Sequence, residues 1–392
     1  MRPLQTTPET ACFRTDWLPS IVAGVLMLFS AVGAFYLTIF FKENLHYSGT
    51  QIGVLFALQA VTGVLAALPA GLGNDRITSR TMIAIGLVLQ ATGFVLIGSV
   101  REFGWLLMVF VAWSLVGAVL RLSLDVQVLK TDNGEKTGSR LGLYQAWRYA
   151  GAGIGAVSIG YVIAWVGFER ALCISGAACL LLIPLAYWLM PTKVARIRLS
   201  DYHADLGKPQ VLLFGFWMFL FTTHWGAEYT CYGPFLRSDL HLSMIDLGWY
   251  MSAEYVAIFV AALLSGRALD RSGRIRGFAL VGLLASGIGT IGMVFPPVML
   301  SVSFRALHGL GDGVMIVVLY LGIARLFSIE RMGGNTGVVS MATMLGFVVG
   351  SIVYGWLGDF QGYVMPLWIS GVVSILLALP LLTWRLSKSL SR

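Results

Sequence analysis

Nine ionisable side chains lie within long apolar stretches of this sequence, where a charge is costly unless it has a partner or a function. They are Arg121, Asp125, Arg148, His224, Glu228, Glu254, Arg305, His308 and Asp312. Imidazole and carboxylate groups in such surroundings can bind and release protons near physiological pH. Nitrogen and oxygen ligands of this kind also suit a divalent metal ion. A structural network of buried ion pairs is the third interpretation of the same residues.

Two pairs of these residues have the spacing of neighbours on one helical face. His224 and Glu228 are four residues apart, as are His308 and Asp312, so that each pair shares a face of its helix. The two segments are predicted to cross the membrane in opposite directions. A rise of about 1.5 Å per residue then places His224 level with Asp312, and Glu228 level with His308 and close to Arg305.

The elements that position these residues are predicted to be membrane-spanning helices. Hydrophobic residues make up 57% of the 392-residue chain and charged residues only 12%, with a mean hydropathy of +0.80. Apolar runs longer than about 18 residues recur throughout the sequence. We predict an all-α integral membrane protein with twelve spans, at approximately 16–41, 51–72, 81–99, 104–129, 141–166, 171–190, 210–237, 246–267, 278–295, 298–327, 335–358 and 364–385.

The formal net charge of +8 is distributed in a way that orients the protein in a bilayer. With the N-terminus placed inside, twenty of the 27 lysines and arginines fall in cytoplasmic segments, and only Lys42, Arg101, Arg170 and Arg237 fall outside. This asymmetry predicts a multi-pass protein of a bacterial inner membrane with both termini cytoplasmic. The lipid bilayer accounts for the basic charge, and no nucleic-acid partner is expected.

The sequence repeats itself with an offset of 195 residues, which is half of the chain. Under this shift the glycines of the fifth span fall on those of the eleventh: Gly151, Gly155 and Gly160 correspond to Gly346, Gly350 and Gly355. The repeat predicts two six-helix units in parallel topology. We place the first bundle at residues 1–190, a polar cytoplasmic linker at 191–209 and the second bundle at 210–392.

Two charged loops occupy equivalent places in this repeat. The stretch "GLGNDRITSR" begins at Gly71 and "GRALDRSGRIR" begins at Gly266. Glycine allows helix ends to approach each other, and arginine keeps a loop on the cytoplasmic side. An aspartate can lie at a helix N-terminus, where the helix dipole favours an anion. The corresponding residues are Gly71, Asp75 and Arg76 in the first loop and Gly266, Asp270 and Arg271 in the second.

Twelve spans in two six-helix repeats, with G-x-x-x-D-R in the second-to-third and eighth-to-ninth loops, resemble the major facilitator superfamily (MFS) of transporters. The tenth span adds "RALHGLGDG", which is similar to the R-x-x-Q-G-x-G-x-G motif of that family, with His308 in place of glutamine. The fifth span contains "GAGIGAVSIG", which is similar to the antiporter glycine motif but lacks its proline and one of its glycines. The resemblance implies two pseudo-symmetric six-helix bundles around a central cavity lined by helices 1, 4, 7 and 10.

The resemblance also implies roles for the residues described above. In the family such loops latch the two bundles in the outward-facing state, and this role falls on Gly71, Asp75, Arg76, Gly266, Asp270 and Arg271. The seventh and tenth helices would oppose each other across the cavity. We expect Glu228 and Asp312 to carry protons, and His224, His308 and Arg305 to tune their proton affinity.

A second set of residues is predicted to contact the substrate: Arg121, Asp125, Arg148, Glu254, Trp225 and Tyr229. Asp125 is expected to form a buried ion pair with an arginine of its own half, whereas an unpaired arginine would suit an anionic group on the substrate. An alternative places Glu254 in an ion pair with Arg148 across the two bundles. Trp225 and Tyr229 would stack on an amphipathic or ring-bearing substrate.

The sequence thus predicts a secondary active transporter that moves a small organic or amphipathic solute by alternating access, driven by the proton gradient. The direction of transport stays open. One alternative is a divalent-metal carrier that uses the histidines and carboxylates as ligands. The other is a membrane sensor of the same fold without transport activity.

Other classes of protein are disfavoured by particular stretches. The run "HGLGDG" fits the H-x-x-x-D-G of some acyl-transfer enzymes, but its place within an apolar span argues against an enzyme. The chain contains no G-x-x-x-x-G-K-[ST] loop, so nucleotide-driven pumping is not expected. No cofactor or resident metal is predicted, and the transporter is expected to be a monomer with substrate and protons as its partners.

Overall fold

The computed structural model describes residues 17–37, 40–47, 49–131, 136–194, 202, 205, 207–242 and 244–382. The two termini, predicted to be cytoplasmic, and the middle of the predicted linker lie outside the described residues. Helices α1 to α6 are Leu18–Ala31, Gly49–Arg76, Ser79–Ser99, Phe103–Lys130, Thr137–Val166 and Phe168–Leu181. Helices α7 to α12 are Pro209–Ala227, Met244–Ser272, Ile275–Gly292, Val298–Leu326, Met332–Gln361 and Val364–Leu376.

Short helical segments continue several of these elements. Ile183–Tyr187 follows α6, Gly233–Ser238 follows α7, Leu379–Leu382 follows α12, and a 3₁₀ turn at Ile329–Arg331 precedes α11. In the described residues, ten helices are long and apolar enough to cross a membrane, namely α2 to α6 and α8 to α12 with their continuations. The first and seventh spans are interrupted, as described next. The twelve predicted spans are therefore confirmed.

Helices α1 and α7 each pass into a π-helical turn at nearly the same place in the repeat. The turns are Val32–Tyr36 and Glu228–Tyr232, and a second turn, Phe40–Asn44, follows in the first span. A π-helical turn holds one more residue than an α-turn and so changes the direction of the side chains beyond it. In α7 the turn begins at Glu228, one of the predicted proton carriers.

Close contacts between helices obey the 195-residue repeat. A Cβ atom on Gly151 of α5 would lie 2.0 Å from the carbonyl oxygen of Gly24 in α1, and one on Gly346 of α11 would lie 2.1 Å from that of Phe219 in α7. Only glycine allows backbones to approach this closely. Since Phe219 is the repeat equivalent of Gly24, the two halves are built from the same helix pairing.

The halves meet through α2 against α11 and α5 against α8. Gly71 packs on the backbone of Gly333, and Gly266 packs on that of Gly138, with the added Cβ atoms 2.4 Å and 2.3 Å from the two carbonyl oxygens. We call the end of the molecule that carries these contacts and the linker residues the linker end. The two-bundle fold is thus the predicted one.

Helix α10 lies deepest in the second half. In its most apolar 18-residue stretch, 72% of the residues are buried inside the protein. This explains why its polar residues must find partners within the molecule. Several helices run past the predicted apolar limits: α5 begins at Thr137 and α8 continues to Ser272. The division into residues 1–190, 191–209 and 210–392 stays a prediction.

Candidate functional site

Four of the predicted residues are in contact where α7 faces α10, namely His224, Glu228, His308 and Asp312. The Nε2 atom of His224 lies 3.2 Å from Oδ2 of Asp312, and Nε2 of His308 lies 2.7 Å from Oε1 of Glu228. The two imidazole rings are 5.5 Å apart. Both predicted juxtapositions are therefore present in the structure.

Arg305 of α10 lies between two carboxylates. Its Nη1 atom is 3.0 Å from Oε2 of Glu228, and its Nη2 atom donates to Oε2 of Glu254, which comes from α8. The guanidinium also stacks over the ring of Tyr232 at 4.3 Å. The predicted pairing of Glu254 with Arg148 is wrong, because Glu254 faces into its own half, where Arg305 reaches it first.

Helix α9 completes the site with two hydroxyl groups that the sequence analysis did not single out. Ser286 donates to Oδ1 of Asp312 at 2.7 Å, and the hydroxyl of Thr290 lies 2.9 Å from Nδ1 of His308. Their four-residue spacing on an apolar helix was the available signal, since hydroxyls so spaced share a face. With α9 included, four helices of the second half contribute to the cluster.

The cluster contains more acidic than basic charge. Of its three carboxylates, Glu228 and Glu254 contact the guanidinium of Arg305, whereas Asp312 lies beside the two imidazoles. Two imidazoles complete it, and both are 0% exposed. Buried charges are stable only when they are compensated. The cluster is therefore electrically neutral only when it holds two protons in addition to the charge of Arg305.

Glu228 and His308 are close but not aligned. Although Oε1 and Nε2 lie 2.7 Å apart, neither atom has a hydrogen bond of acceptable angle to any described residue. We take the short distance as an electrostatic contact that a small rotation would turn into a hydrogen bond. Ligand atoms of His224, Glu228 and His308 also lie within 4.8 Å of one another, a spacing that would admit a metal ion.

Trp225 and Tyr229, the two predicted aromatic contacts, point in different directions. The indole N–H of Trp225 donates to Oδ2 of Asp312 at 2.5 Å, so this ring belongs to the cluster. Tyr229 is 59% exposed and packs edge-to-face on Phe347 of α11, with 5.3 Å between the ring centroids. Tyr229 directly follows Glu228 and so points to another side of the helix than Glu228 does. Its predicted contact with the substrate stays a prediction.

Asp125 of α4 forms a second, smaller polar site in the first half. Its Oδ1 atom accepts a hydrogen bond from Tyr144 at 2.7 Å and lies 3.3 Å from Nη1 of Arg148. Its Oδ2 atom accepts from Tyr320 of α10 at 2.8 Å, so that this site joins the two halves. The expected ion pair is present, and its cation is Arg148. Arg121 has an exposed side chain and, in the described residues, forms neither a hydrogen bond nor an ion pair.

The two loop aspartates cap helices of the opposite half. Asp270 accepts hydrogen bonds from the backbone N–H groups of Gly138 and Ser139 at the start of α5, both at 2.7 Å. Asp75 accepts from Gly333 and Gly334 at the start of α11, at 2.8 and 2.6 Å. Carboxylates are stabilised at such positions by unpaired N–H groups and the helix dipole. The loop arginines Arg76 and Arg271 are exposed.

The Asp75 contact is reinforced, and the Asp270 contact is not comparably buried. Lys130 of α4 lies 2.7 Å from Oδ1 of Asp75, with both side chains 0% exposed, and Tyr202 donates to Oδ2 at 2.7 Å. Asp270, by contrast, is exposed. The sequence analysis missed Lys130 and Tyr202 because they join Asp75 only through the packing of α4 and the linker.

The linker is tied to the second half through Asp205. Arg331 lies 2.6 Å from its Oδ2 atom, Asn335 donates to the same atom at 2.9 Å, and Lys208 lies 2.8 Å from Oδ1. Burial alone would raise the pKa of Asp205, but these hydrogen bonds hold it below the ordinary value of 3.8. The carboxylate is therefore charged at physiological pH and anchors the linker near α11.

Comparison with known proteins agrees with this architecture. The family model described as Major Facilitator Superfamily matches residues 20–232 and 211–391. A multidrug resistance protein B homolog of Mycobacterium tuberculosis is 30% identical over 127 residues, which cover 32% of this chain and 23% of that protein. An uncharacterized MFS-type transporter of Methanocaldococcus jannaschii is 26% identical over 178 residues, covering 44% and 45%. The matches thus span less than half of these curated relatives.

Two solved structures share the fold over almost the whole chain. The proton:xylose symporter XylE, bound to 6-bromo-6-deoxy-D-glucose, superposes with a TM-score of 0.77 at 13% identity and covers 95% of both chains. The human organic anion transporter MFSD10 superposes with a TM-score of 0.73 at 14% identity, covering 96% of this chain and 100% of its own. At this identity the likeness concerns the fold alone. From the family match over residues 20–232 and 211–391, the chain belongs to the Major Facilitator Superfamily, a family of membrane transporters rather than enzymes.

Proposed function

We propose that the chain is a proton-coupled secondary transporter of a small organic or amphipathic solute. It works as a monomer by alternating access in a bacterial inner membrane, with the linker end and both termini in the cytoplasm. The observation that carries the proposal is the buried cluster of three carboxylates, in which Arg305 contacts Glu228 and Glu254 and the imidazoles lie beside Asp312. Two protons make this cluster neutral, and the imidazoles of His224 and His308 lie where they can accept them.

Coupling of proton movement to substrate movement requires that the proton affinity of the cluster changes when the cavity opens. Glu228 is the least buried of the three carboxylates, with 11% of its side chain exposed. Water that reaches Glu228 stabilises its charged form, whereas exclusion of water favours the protonated form. The π-helical turn that begins at this residue lets its orientation respond to movement of α7. Proton binding and the position of α7 are linked in this way.

The contacts at the linker end support alternating access. The hydrogen bonds of Asp75 and Asp270 hold α11 and α5 against the opposite half, and both lie at the linker end. Opening this end must break all of them, because each joins the two halves. Positive charge concentrated on the predicted cytoplasmic segments makes the linker end the inner one. The described conformation is then closed to the cytoplasm. We propose that residues 1–190 and 210–392 move as the two rocking units, joined by 191–209.

The test begins with a substrate found by a thermal-shift screen of metabolites, lipids and drugs on the purified protein. In proteoliposomes an imposed pH gradient should concentrate that substrate, and a protonophore should abolish the effect. Glu228→Gln and Asp312→Asn should lose gradient-driven accumulation while retaining substrate counterflow, which needs no net proton movement. Glu330→Gln, which removes an exposed carboxylate, is the matched control. A Glu228→Gln/Asp312→Asn double variant that still concentrates substrate would refute proton coupling.

A divalent-metal carrier is the second candidate, because His224, Glu228 and His308 have the spacing of a metal site. The guanidinium of Arg305, 3.0 Å from Glu228, opposes it by repelling a cation. Calorimetric titration with Zn²⁺, Mn²⁺ and Fe²⁺ separates the two: binding that is lost in His308→Gln favours metal transport. A sensor would bind its ligand and show no flux in proteoliposomes.

A further inference from the structure

Arg121 occupies an unusual position in the first half. Its side chain is exposed, whereas the nine residues that follow it in α4, Leu122–Lys130, are all buried. Arg121 lies four residues before Asp125, so both residues share one face of the helix. Asp125 contacts Tyr320 of the opposite half. The shared face therefore points between the halves, and Arg121 lies one turn beyond the Asp125–Tyr320 contact, away from the linker end.

Among the residues that the structure describes, the charge of Arg121 has no counter-ion of its own. The nearest carboxylate, Asp125, is already paired with Arg148 and accepts hydrogen bonds from Tyr144 and Tyr320. The site of two arginines and one aspartate thus keeps one net positive charge, which sits on an accessible guanidinium. A cation at membrane depth is costly unless it faces water or an anion. Guanidinium groups bind carboxylates through two parallel hydrogen bonds.

A pair of aromatic rings lies where the two halves meet, within electrostatic reach of both Arg121 and the acidic cluster. Tyr149 of α5 stacks on Tyr255 of α8 across the two halves, with centroids 6.1 Å apart and ring planes at 29°. Tyr149 is within electrostatic reach of Arg121 and also of Asp312 and Glu254. A planar apolar group placed here would contact these rings while its charged end reached Arg121.

We propose that the substrate is an organic anion with an aromatic body, whose carboxylate pairs with Arg121 and whose ring packs against Tyr149 and Tyr255. The proposal rests on the proposed transport function and names the substrate class of the same cavity. It does not depend on which residues carry protons. Arg121 is the substrate anchor, and Arg148 stays engaged with Asp125.

The experiment measures thermal stabilisation of the purified full chain by matched ligands at constant ionic strength. The probes are benzoate, 2-naphthoate and biphenyl-4-carboxylate, each compared with its uncharged amide, and acetate as an anion without a ring. The carboxylates should stabilise the protein in order of ring area, whereas the amides and acetate should not. Arg121→Gln should weaken carboxylate binding at least tenfold. Arg121→Lys should weaken it less, since an ammonium keeps the charge but not the two parallel hydrogen bonds.

The control is Arg170→Gln, which removes another exposed arginine and should leave carboxylate binding unchanged. Comparing ligand-free melting temperatures shows whether each variant is folded. If Arg121→Gln is not folded, carboxylate binding by Arg121→Lys is compared with that of the parent instead. The proposal is overturned if no carboxylate stabilises the chain, if amides stabilise it equally, or if Arg121→Gln binds as the parent does. Gradient-driven uptake of a neutral solute would overturn the anionic substrate class and leave proton-coupled transport standing.

Discussion

The hydroxyl of Tyr320 donates a hydrogen bond to Oδ2 of Asp125 across the two halves, at 2.8 Å, and the two residues are 195 positions apart. This separation equals the repeat offset, so the two residues occupy equivalent positions in the two halves. Equivalent residues can touch only near the axis that relates the repeats. The Asp125–Tyr320 contact therefore marks the pseudo-twofold axis at the level where the halves meet, with different chemistry on each side.

Tyr320→Phe should weaken the closed state without unfolding either half. The variant removes a hydrogen bond to a charged acceptor, which contributes about 1.5–3 kcal/mol, and this bond joins the halves. We expect a shift towards conformations open at the linker end, by roughly tenfold or more. Electron–electron distance measurements between spin labels at Ile77 and Ser328, two exposed positions at that end, would detect it.

Tyr144→Phe is the matched control for this prediction. Tyr144 donates to the other oxygen of Asp125 at 2.7 Å, but it belongs to the same half. Its removal should lower the melting temperature and leave the distance distribution nearly unchanged. If both variants opened the linker end equally, the contact of Tyr320 would have no special role in closure.

The two loop aspartates should respond differently to substitution. Asp75→Asn leaves the ammonium of Lys130 buried without a carboxylate, and loss of one partner of a buried pair costs about 3–5 kcal/mol. Asp270 is exposed, and within the described residues its hydrogen bonds are the two from backbone N–H groups at the start of α5. Asp75→Asn should therefore lower the melting temperature and expression strongly, whereas Asp270→Asn should remain folded and transport at a changed rate.

A second substitution distinguishes an effect of Asp75→Asn on folding stability from an effect on the contact that holds the two halves closed. In Asp75→Asn/Lys130→Met no buried charge is left alone, so the melting temperature should recover while the closed state stays weakened. An unchanged transport rate in Asp270→Asn would contradict a latch role for that residue. Failure of Lys130→Met to restore the stability of Asp75→Asn would contradict the assigned ion pair.

Most of the fold and part of the site could be predicted from the sequence because they depend on periodicity. Long apolar runs determined the spans, and the 195-residue offset determined which helices are equivalent. The four-residue spacings within α7 and α10 were sufficient to match His224 with Asp312 and Glu228 with His308, since depth in a membrane follows from residue count. Spacing and depth are properties of one helix, or of two helices whose directions across the membrane are known.

The errors concern contacts that depend on how helices rotate and approach. One alternative paired Glu254 with Arg148, but the rotation of α8 directs Glu254 to Arg305. The spacing also did not predict that Tyr229, in the π-helical turn that follows α7, packs on Phe347, whereas Trp225 reaches Asp312. Neither rotation nor a π-helical turn is encoded in the spacing of apolar residues, so such contacts required coordinates.

Glycine contacts give a stability prediction that is independent of transport. Gly151→Ala and Gly346→Ala place a Cβ about 2 Å from a backbone oxygen, which cannot move aside as a side chain would. Overpacking of this kind costs about 1–3 kcal/mol. Gly215→Ala in α7 is the control, because nothing lies within 4 Å of its added Cβ. Circular-dichroism melting should show losses for the first two and a small gain for the control.

The same helix pairing carries different chemistry in the two halves. The repeat equivalents of Glu228 and His308 are Gly33 and Trp113. These two also touch, since a Cβ on Gly33 would lie 2.7 Å from the indole of Trp113. The contact of α4 with the π-helical turn after α1 is thus apolar. The equivalent contact in the second half, of α10 with the π-helical turn after α7, is ionic. This divergence explains why the proposed proton site lies on only one side of the pseudo-twofold axis.

Charge balance in the second half yields the last prediction. Arg305→Gln leaves Glu228 and Glu254 buried without their cation, so it should cost about 3–5 kcal/mol, as for other broken buried pairs. Arg305→Gln/Glu254→Gln removes one of the excess negative charges and should recover much of the melting temperature. Arg305→Gln/Glu330→Gln removes an exposed carboxylate instead and should recover nothing. Stability should also recover for Arg305→Gln alone at low pH, since protonation of Glu228 or Glu254 supplies the missing neutralisation. Equal melting temperatures for the two double variants would show that the cluster is not held by its charge balance, and the two-proton argument would lose its basis.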